Sequence, residues 1–503
     1  MTLPGSALGA SLIFPVVICG FFSLGLTALA DSSVPWIGLV VCGTASLAAV
    51  SWARDLQFSL MSIFFFILPM DISKALTSVA SAYAPALQLY LSDLAFFPLA
   101  MLWLFDKTVI RKSRIYWSRV HWLALLLFLW LSASAIWGPE PVGYLLNLNN
   151  VKYFLYFVVI ADLVREPRYL RGAVIALAAG LAVQLVVAAL QIMTGSDLKI
   201  QGGKATDAGR VLIFGEAGGT HVRRVSGLLP HPNVFADYLT FVMPPLLALV
   251  LLGRKMVGSV GWILSALLFC GALVALVLAL SRGGWIAFGC SLVFIFATGY
   301  GFGIVHKGHV VALVFLAATF IGGISLVFPA AVYRVMLSDS RSSDSRIAMM
   351  DQAILIIERH PVLGVGLSGY NKAAQTAIPG SWARLSPDFR DTLLKGVVHN
   401  KYLLTLAETG PVGLILLLLF LGANVFLPFS GVACTSLEQF ALILGISAAV
   451  LAQCVFYLFD HFSYDPRVGF LYAVSGLLVG MASLRVGGDE LRNRPGDSLG
   501  VVS

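Results

Sequence analysis

Residues 259–303, SVGWILSALLFCGALVALVLALSRGGWIAFGCSLVFIFATGYGFG, decide the fold. Two apolar runs flank Ser281-Arg282-Gly283-Gly284, and each has the length of about 20 residues that a helix needs to cross a ~30 Å hydrocarbon core. In lipid only helices and closed barrels satisfy their own backbone, and barrel strands alternate over about 10 residues, so unbroken runs of this length are helices. Working outward, the same pattern predicts spans near 7–30, 34–52, 56–70, 88–105, 120–137, 150–163, 172–193, 234–252, 259–280, 285–303, 310–330, 402–427, 438–459 and 468–484. The expected fold is all-α, a polytopic membrane helix bundle of about 14 transmembrane helices, or about 12 if the short runs 56–70 and 150–163 do not cross.

Composition agrees. Of 503 residues 59% are hydrophobic and only 12% charged, where soluble domains carry about a quarter charged. The formal charge of +8 comes without a basic run interleaved with aromatics, so nucleic acid is not an expected partner. The basic residues flank apolar runs instead and report topology. Arg54, Lys107, Arg111, Lys112, Arg114, Arg119, Arg165, Arg168, Arg171, Arg254, Lys255, Lys307, Arg485, Arg492 and Arg494 fall in one set of connections, and Lys74, Arg282 and Arg467 in the short loops opposite. The first set is expected in the cytoplasm with both termini, which leaves two long segments, 194–233 and 331–400, in the periplasm. The run 7–30 lacks a basic leader and a small-residue cleavage site, so it reads as a retained span. The six cysteines, Cys19, Cys42, Cys270, Cys290, Cys434 and Cys454, avoid both long segments and imply no disulfide framework.

The chain divides into N-terminal spans (1–193), a first long loop (194–233), a transmembrane core (234–484) that includes the loop 331–400, and a polar tail (485–503) expected to be disordered. In the second loop, Ile347, Met350, Ile354 and Ile357 predict an amphipathic helix over 345–358, either lying on the membrane or serving the chemistry. No internal repeat and no pair of Gly/Pro-broken helices at matching positions is evident, which counts against a transporter.

Three constellations could carry chemistry on the loop side. Arg223-Arg224-Val225-Ser226-Gly227, followed by His231-Pro232-Asn233, offers guanidiniums for phosphate or, alternatively, arginines that snorkel to headgroups beside an ordinary helix start. Arg282 lies too close to the bilayer to be unpaired without cost, which makes it a functional candidate, while its two glycines can also be a tight turn. His399-Asn400 opens the run that continues through Glu408-Thr409-Gly410-Pro411-Val412-Gly413. A boundary histidine can take a proton from a hydroxyl, or it can simply be a packing residue. Glu408 orients a polar network or bonds a neighbouring helix. Neither long segment holds a DxD, HExxH, CxxC or Walker pattern, so no metal or cofactor is expected. Asp339, Asp344 and Asp351 could bind a divalent cation, but their spacing is not that of an EF-hand loop, and they read rather as capping and solvating the amphipathic helix.

Taken in chain order, Arg-x-Ser-Gly, His-Pro-Asn, Ser-Arg-Gly-Gly, Ser345-Arg346, His360-Pro361-Val362-Leu363-Gly364-Val365-Gly366, His399-Asn400 and Glu-Thr-Gly-Pro-Val-Gly resemble the O-antigen ligase and Wzy-type polysaccharide polymerase superfamily, from Arg223 to Gly413. The resemblance implies a glycosyltransferase of the bacterial inner membrane. It would move a glycan en bloc from undecaprenyl pyrophosphate to an acceptor sugar hydroxyl, on a glycan chain or on lipid A core, at the periplasmic face, without metal and with inversion. It further implies membrane lipid around the site, and a chain-length regulator and a flippase as partners. By matching position, Arg224 and Arg282 would hold the pyrophosphate and His399 would be the general base. Arg346 matches a recurring position, and Arg223, His231, Asn233 and Asn400 are candidate substrate contacts. The His-Pro-Asn form and the long loops lean to a polymerase over a ligase. The rival reading is a secondary transporter or glycan flippase, for which Asp93 and Asp162, inside apolar runs, are the best residues.

Overall fold

The computed structural model describes residues 55–75, 88–139, 149–194, 213–217, 220–311, 340–430, 436–461 and 466–484. The spans expected near 7–30, 34–52 and 310–330, half of the first long loop and the tail lie outside the described residues. The helices are α1 (Leu56–Ile67), α2 (Leu91–Phe105), α3 (Arg119–Ser134), α4 (Asn149–Leu163), α5 (Pro167–Thr194), α6 (Pro232–Leu252), α7 (Ser259–Leu278), α8 (Arg282–Gly301), α9 (Ser340–Arg359), α10 (Tyr370–Ala374), α11 (Pro387–Leu394), α12 (Lys401–Val425), α13 (Leu437–Phe456) and α14 (Pro466–Ala482). Among the described residues, seven helices are long and apolar enough to cross a membrane: α3 with its 3-10 extension to Trp137, α5, α6, α7, α8, α12 and α13. This is a multi-pass membrane protein. Two short antiparallel ribbons, Ser73–Ala75 with Gln88–Tyr90 and Ile213–Ala217 with Thr220–Arg223, interrupt the otherwise helical chain.

Lipid tails are as apolar as leucine, so helices here adhere through close packing and polar contacts, and glycine sets the closest approaches. Gly445 of α13 lies against Pro245 and Ala248 of α6, Gly469, Gly476 and Gly480 of α14 lie along α4, and Gly172 and Gly180 of α5 against α1. A Cβ at Gly480 would stand 2.3 Å from Val164. Between α6 and α13, the buried Gln453 amide donates to Asp237 Oδ1 (2.6 Å) and Thr240 Oγ1 (3.1 Å). The short runs at 56–70 and 150–163 are α1 and α4, and α4 is central to the core, with Phe157, Val159, Ile160 and Ala161 fully buried.

The two acids of the N-terminal apolar runs, Asp93 and Asp162, are tied into hydrogen-bond networks. Asp93 accepts from Lys152 Nζ (2.9 Å), Tyr156 OH (2.6 Å) and the Tyr90 amide (2.9 Å). Asp162 accepts from Trp103 Nε1 (2.7 Å) and the Tyr116 amide (2.9 Å) and pairs with Lys107 (2.8 Å). Each carboxylate is paired with a lysine within the N-terminal helices.

The second long loop is a folded lobe, and a helix break holds it. Pro411 has no N–H for the carbonyl of Ala407, and Gly410, at φ +68°, turns the chain out of helix, so carbonyls just above the break lose their helical donors. Other groups replace them. The Val365 amide donates to Ala407 (2.9 Å), the Gly366 amide to Glu408 (2.8 Å) and Trp130 Nε1 to Thr409 (2.9 Å). Gly364 (φ +67°) and Gly366 (φ +83°) supply left-handed turns, and a Cβ at Gly364 would lie 2.5 Å from the Glu408 carbonyl carbon. Glu408 itself accepts from the Tyr370 amide at 3.4 Å, so it faces the lobe. Above this junction, Met349, Ala353 and Ile356 of α9 pack with Tyr370, Trp382 and Leu393, and that core continues into Leu404 and Ala407 of α12. The amphipathic helix expected over 345–358 is α9, longer at both ends. Its inner face is a second apolar set, and Ile347, Met350 and Ile354 remain exposed.

Gly410→Ala would force a side chain into a left-handed position with its Cβ 2.2 Å from the Val362 carbonyl oxygen. A loss of about 2 kcal/mol or more is expected, read as a lowered thermal midpoint in detergent. Gly422→Ala, in the same helix with open space around it, is expected to be neutral or to stabilise by up to ~1 kcal/mol.

Candidate functional site

Five chain segments bring charged side chains together where the spans end beneath the lobe. The first is the turn before α6. Two buried glutamines of α5 build it: Gln191 Oε1 accepts from the amides of Ser226 (3.1 Å) and Gly227 (3.0 Å), and Gln184 Oε1 accepts from Leu228 (2.7 Å). Gly227 sits at φ +59°, and a Cβ there would meet Gln184 Oε1 at 2.3 Å, so this position requires glycine. The turn fixes Arg224, which is 5% exposed. Its Nε donates to the Ala279 carbonyl (2.7 Å) and its Nη2 to Asn233 Oδ1 (2.6 Å). Asn233 therefore orients Arg224. Arg223 ends a ribbon strand, and its side chain lies outside the described residues.

His231 is the N-cap of α6, its Nδ1 accepting from the Asn233 amide at 3.0 Å. Burial and then the neighbouring Arg224 push its pKa down to about 4. The neutral ring serves the helix start. The second segment is the opening of α8, where Ser281 Oγ accepts from the Gly284 amide. Both glycines are close-approach positions, Gly283 against Phe459 and Gly284 against Ala236 and Leu276, and together they set Arg282 against the cluster.

Arg346, from α9, is the third contributor. Burial lowers its pKa, Asp460 opposes this and the like charge of Arg282 adds to it, so it lies within electrostatic reach of both. The fourth is His399-Asn400. Asn400 caps α12 by accepting from the Leu403 amide (3.0 Å) and braces the Leu458 carbonyl (3.4 Å), and the Lys401 amide donates to Tyr457 (2.8 Å). These bonds seat His399 beside the segment after α13, its Nδ1 3.4 Å from Asp460 Oδ1 with 39% of the side chain exposed.

The fifth segment supplies residues that the sequence reading missed: Asp460, His461 and, at the start of α14, Arg467. Asp460 Oδ1 accepts from the His461 amide (2.8 Å) and lies 3.2 Å from His461 Nδ1, while Arg467 donates to Oδ2 (3.3 Å). Burial opposes ionisation of this carboxyl, yet the bonds to His399 and His461 and the charge of Arg467 outweigh it and hold Asp460 well below the usual carboxylate range. The two imidazoles are 5.2 Å apart. Arg467 was read only as a topology marker. Its single aspartate neighbour follows a span with no pattern around it.

Arg467 and Arg346 thus interact with one carboxylate, Asp460, Arg224 acts on the neighbouring His231, and Arg282 joins them through Arg346. Such a field suits a multiply charged anion, and arginine forks suit phosphate oxygens without losing their proton. The ligand atoms of His399, Asp460 and His461 all lie within 4.8 Å of one another, a spacing compatible with a divalent cation. The surrounding guanidiniums and the existing Arg467 bond favour the anion.

Residues 263–418 match the family model described as O-antigen ligase. A search of curated proteins found no match. The matched stretch contains Arg282, Arg346 and His399, and Arg224, Asp460 and Arg467 complete the cluster from either side of it.

A histidine whose folded pKa lies below its free value of about 6.5 binds protons more readily unfolded, so its contribution to stability is present above that pH and lost on acidification. For His231 the loss runs from there down to about 4. His231→Asn, which keeps a helix-capping side chain, is expected to flatten the fall in thermal midpoint across this window relative to the parent. Equal slopes would show that His231 does not carry the dependence.

Proposed function

We propose, with the match of residues 263–418 to the O-antigen ligase family as the premise, that this protein transfers a glycan en bloc from undecaprenyl pyrophosphate to an acceptor sugar hydroxyl at the periplasmic face of the bacterial inner membrane. The observation that carries the proposal is His399, part-exposed and backed by Asp460, within a cluster of four arginines. An anionic leaving group and a proton acceptor are what such a transfer requires.

Arg224 and Arg282 hold the pyrophosphate, with Arg346 reaching the same anion from the lobe. Arg224 is preset by Ala279 and Asn233, so little reorganisation is needed as charge develops on the departing phosphate oxygen. Removing a preorganised donor of this kind costs on the order of 10²- to 10³-fold in rate. His399 Nδ1 faces Asp460, which leaves Nε2 to take the proton of the acceptor hydroxyl. The acceptor oxygen attacks the anomeric carbon from the face opposite the leaving group, the carbon–oxygen bond to pyrophosphate breaks, and the lipid pyrophosphate departs with that electron pair. Configuration inverts and no covalent intermediate forms. Asp460 stabilises the imidazolium and fixes the ring, the role of a buried carboxylate behind a catalytic histidine. Arg467 keeps that carboxylate ionised and in place.

A polymerase and a ligase share this chemistry and differ in acceptor. Deleting the gene and analysing surface glycans separates them: short chains indicate a polymerase, and chains not attached to lipid A core indicate a ligase.

With purified protein, a lipid-linked glycan and an acceptor, His399→Ala is expected to lower kcat by on the order of 10²- to 10⁴-fold while donor binding persists. Arg282→Ala and Arg224→Ala are expected to weaken donor binding as well as turnover, Asp460→Asn to lower kcat, and a chelator to have little effect. Full transfer by His399→Ala and Arg282→Ala together would end the assignment.

A further inference from the structure

We infer that α9 and the turn following it form a membrane-seated belt, with Ile347, Met350, Ile354, Val362 and Leu363 resting in the lipid leaflet on the lobe side of the bundle. These five side chains are all exposed, Val362 by 71% and Ile347 by 59%, although they belong to the best-packed part of the lobe. Their exposure has a direction. Ile347, Met350 and Ile354 stand at i, i+3 and i+7 and form one stripe, while Asp344, Asp351 and Glu358, at heptad spacing, form the next stripe round the helix. The outward side of α9 is therefore divided lengthwise into an apolar half and an acidic half, the arrangement of a helix lying at an interface.

The placement of α9 identifies the occupant. Arg346, towards one end, lies within electrostatic reach of Arg282 and Asp460, where α8 begins and the segment after α13 emerges. The other end leads into the turn at Val362 and Leu363, which rests on Gly410 and accepts from Trp137 Nε1 at 3.2 Å. These two anchor points, ~20 Å apart along the helix, lie against the start of α8 and against the end of the α3 span and the break in α12, so α9 runs along the face of the bundle and not away from it. The turn is continuous with lipid-facing surface: Ile136 at the end of the α3 span, and Val412 and Ile415 just below the break in α12, are themselves exposed apolar residues on membrane-crossing helices. Lipid that covers Val412 also reaches Val362. A soluble partner docked on the stripe would have to displace lipid at this edge, so the bilayer is the occupant that fits.

The test is independent of any transferase activity. An environment-sensitive fluorescent amino acid is introduced by stop-codon suppression, one site at a time, at positions 347, 354 and 363, and at 344 and 358 on the acidic stripe, in the full chain in nanodiscs. Nitroxide lipids labelled high on the acyl chain are expected to quench the first set at least about twofold more than the second. Equal quenching of the two sets, or none at 354 and 363, overturns the inference. Because purified protein and lipid are the only components, a protein-binding surface would give that negative result. Ile354→Asp is expected to reduce quenching of a probe at 347, with the lobe still folded as judged by unchanged protease resistance; quenching as in the parent would likewise count against a seated helix.

Discussion

The arrangement depends on a single interruption in α12. A proline that cannot donate follows a glycine in left-handed conformation, and the carbonyls of Ala407, Glu408 and Thr409 turn to donors outside their own helix. Two of those donors are backbone amides of the lobe, in a turn that only glycines could bring so close. Most helix breaks in membranes are repaired by side chains or water. Here the repair joins two structural layers, and the orientation of α9, and with it the approach of Arg346 to the bundle, follows from the same few bonds.

The cluster beneath the lobe is an electrostatic consequence of that assembly. Helix ends from several segments deliver arginines to one level, and none of these positions is isolated: Arg224 is bound by a carbonyl and an asparagine, and Arg467 by a carboxylate. Asp460 keeps its charge despite burial because two imidazoles and a guanidinium bind it. The same burial keeps His231 neutral beside Arg224. Two histidines on one face therefore take opposite parts, one turned inward as a cap and one left open to a ligand.

Much of the architecture was legible because span-length apolar runs admit few alternatives: α1 to α8 and α12 to α14 fall where those runs predict them, α9 where its amphipathic pattern does, and the short α10 and α11 follow from neither. The recurring short motifs were legible as signals, but their physical work differs from what a list of polar residues suggests. His-Pro-Val-Leu-Gly-Val-Gly and Glu-Thr-Gly-Pro-Val-Gly are the two sides of one joint, and Asn400, His231 and Asn233 cap helices or steer a neighbour. Asp460, His461 and Arg467 escaped because they lie in and just after a short connection and outside both long segments, with significance that arises only from a fold that sets Asp460 beside His399. For Asp93 and Asp162 the sequence showed an acid within an apolar run but not its partner, because each lysine is distant along the chain and only the fold places it alongside.

The two glutamines of α5 carry a consequence for how this chain can be divided. Gln184 and Gln191 shape the turn that aims Arg224, yet they lie well upstream of the stretch that matches the O-antigen ligase family. That stretch is a recognisable pattern and not a portable module: grafted onto foreign helices it would bring Arg282, Arg346 and His399 without the scaffold that completes their charge constellation.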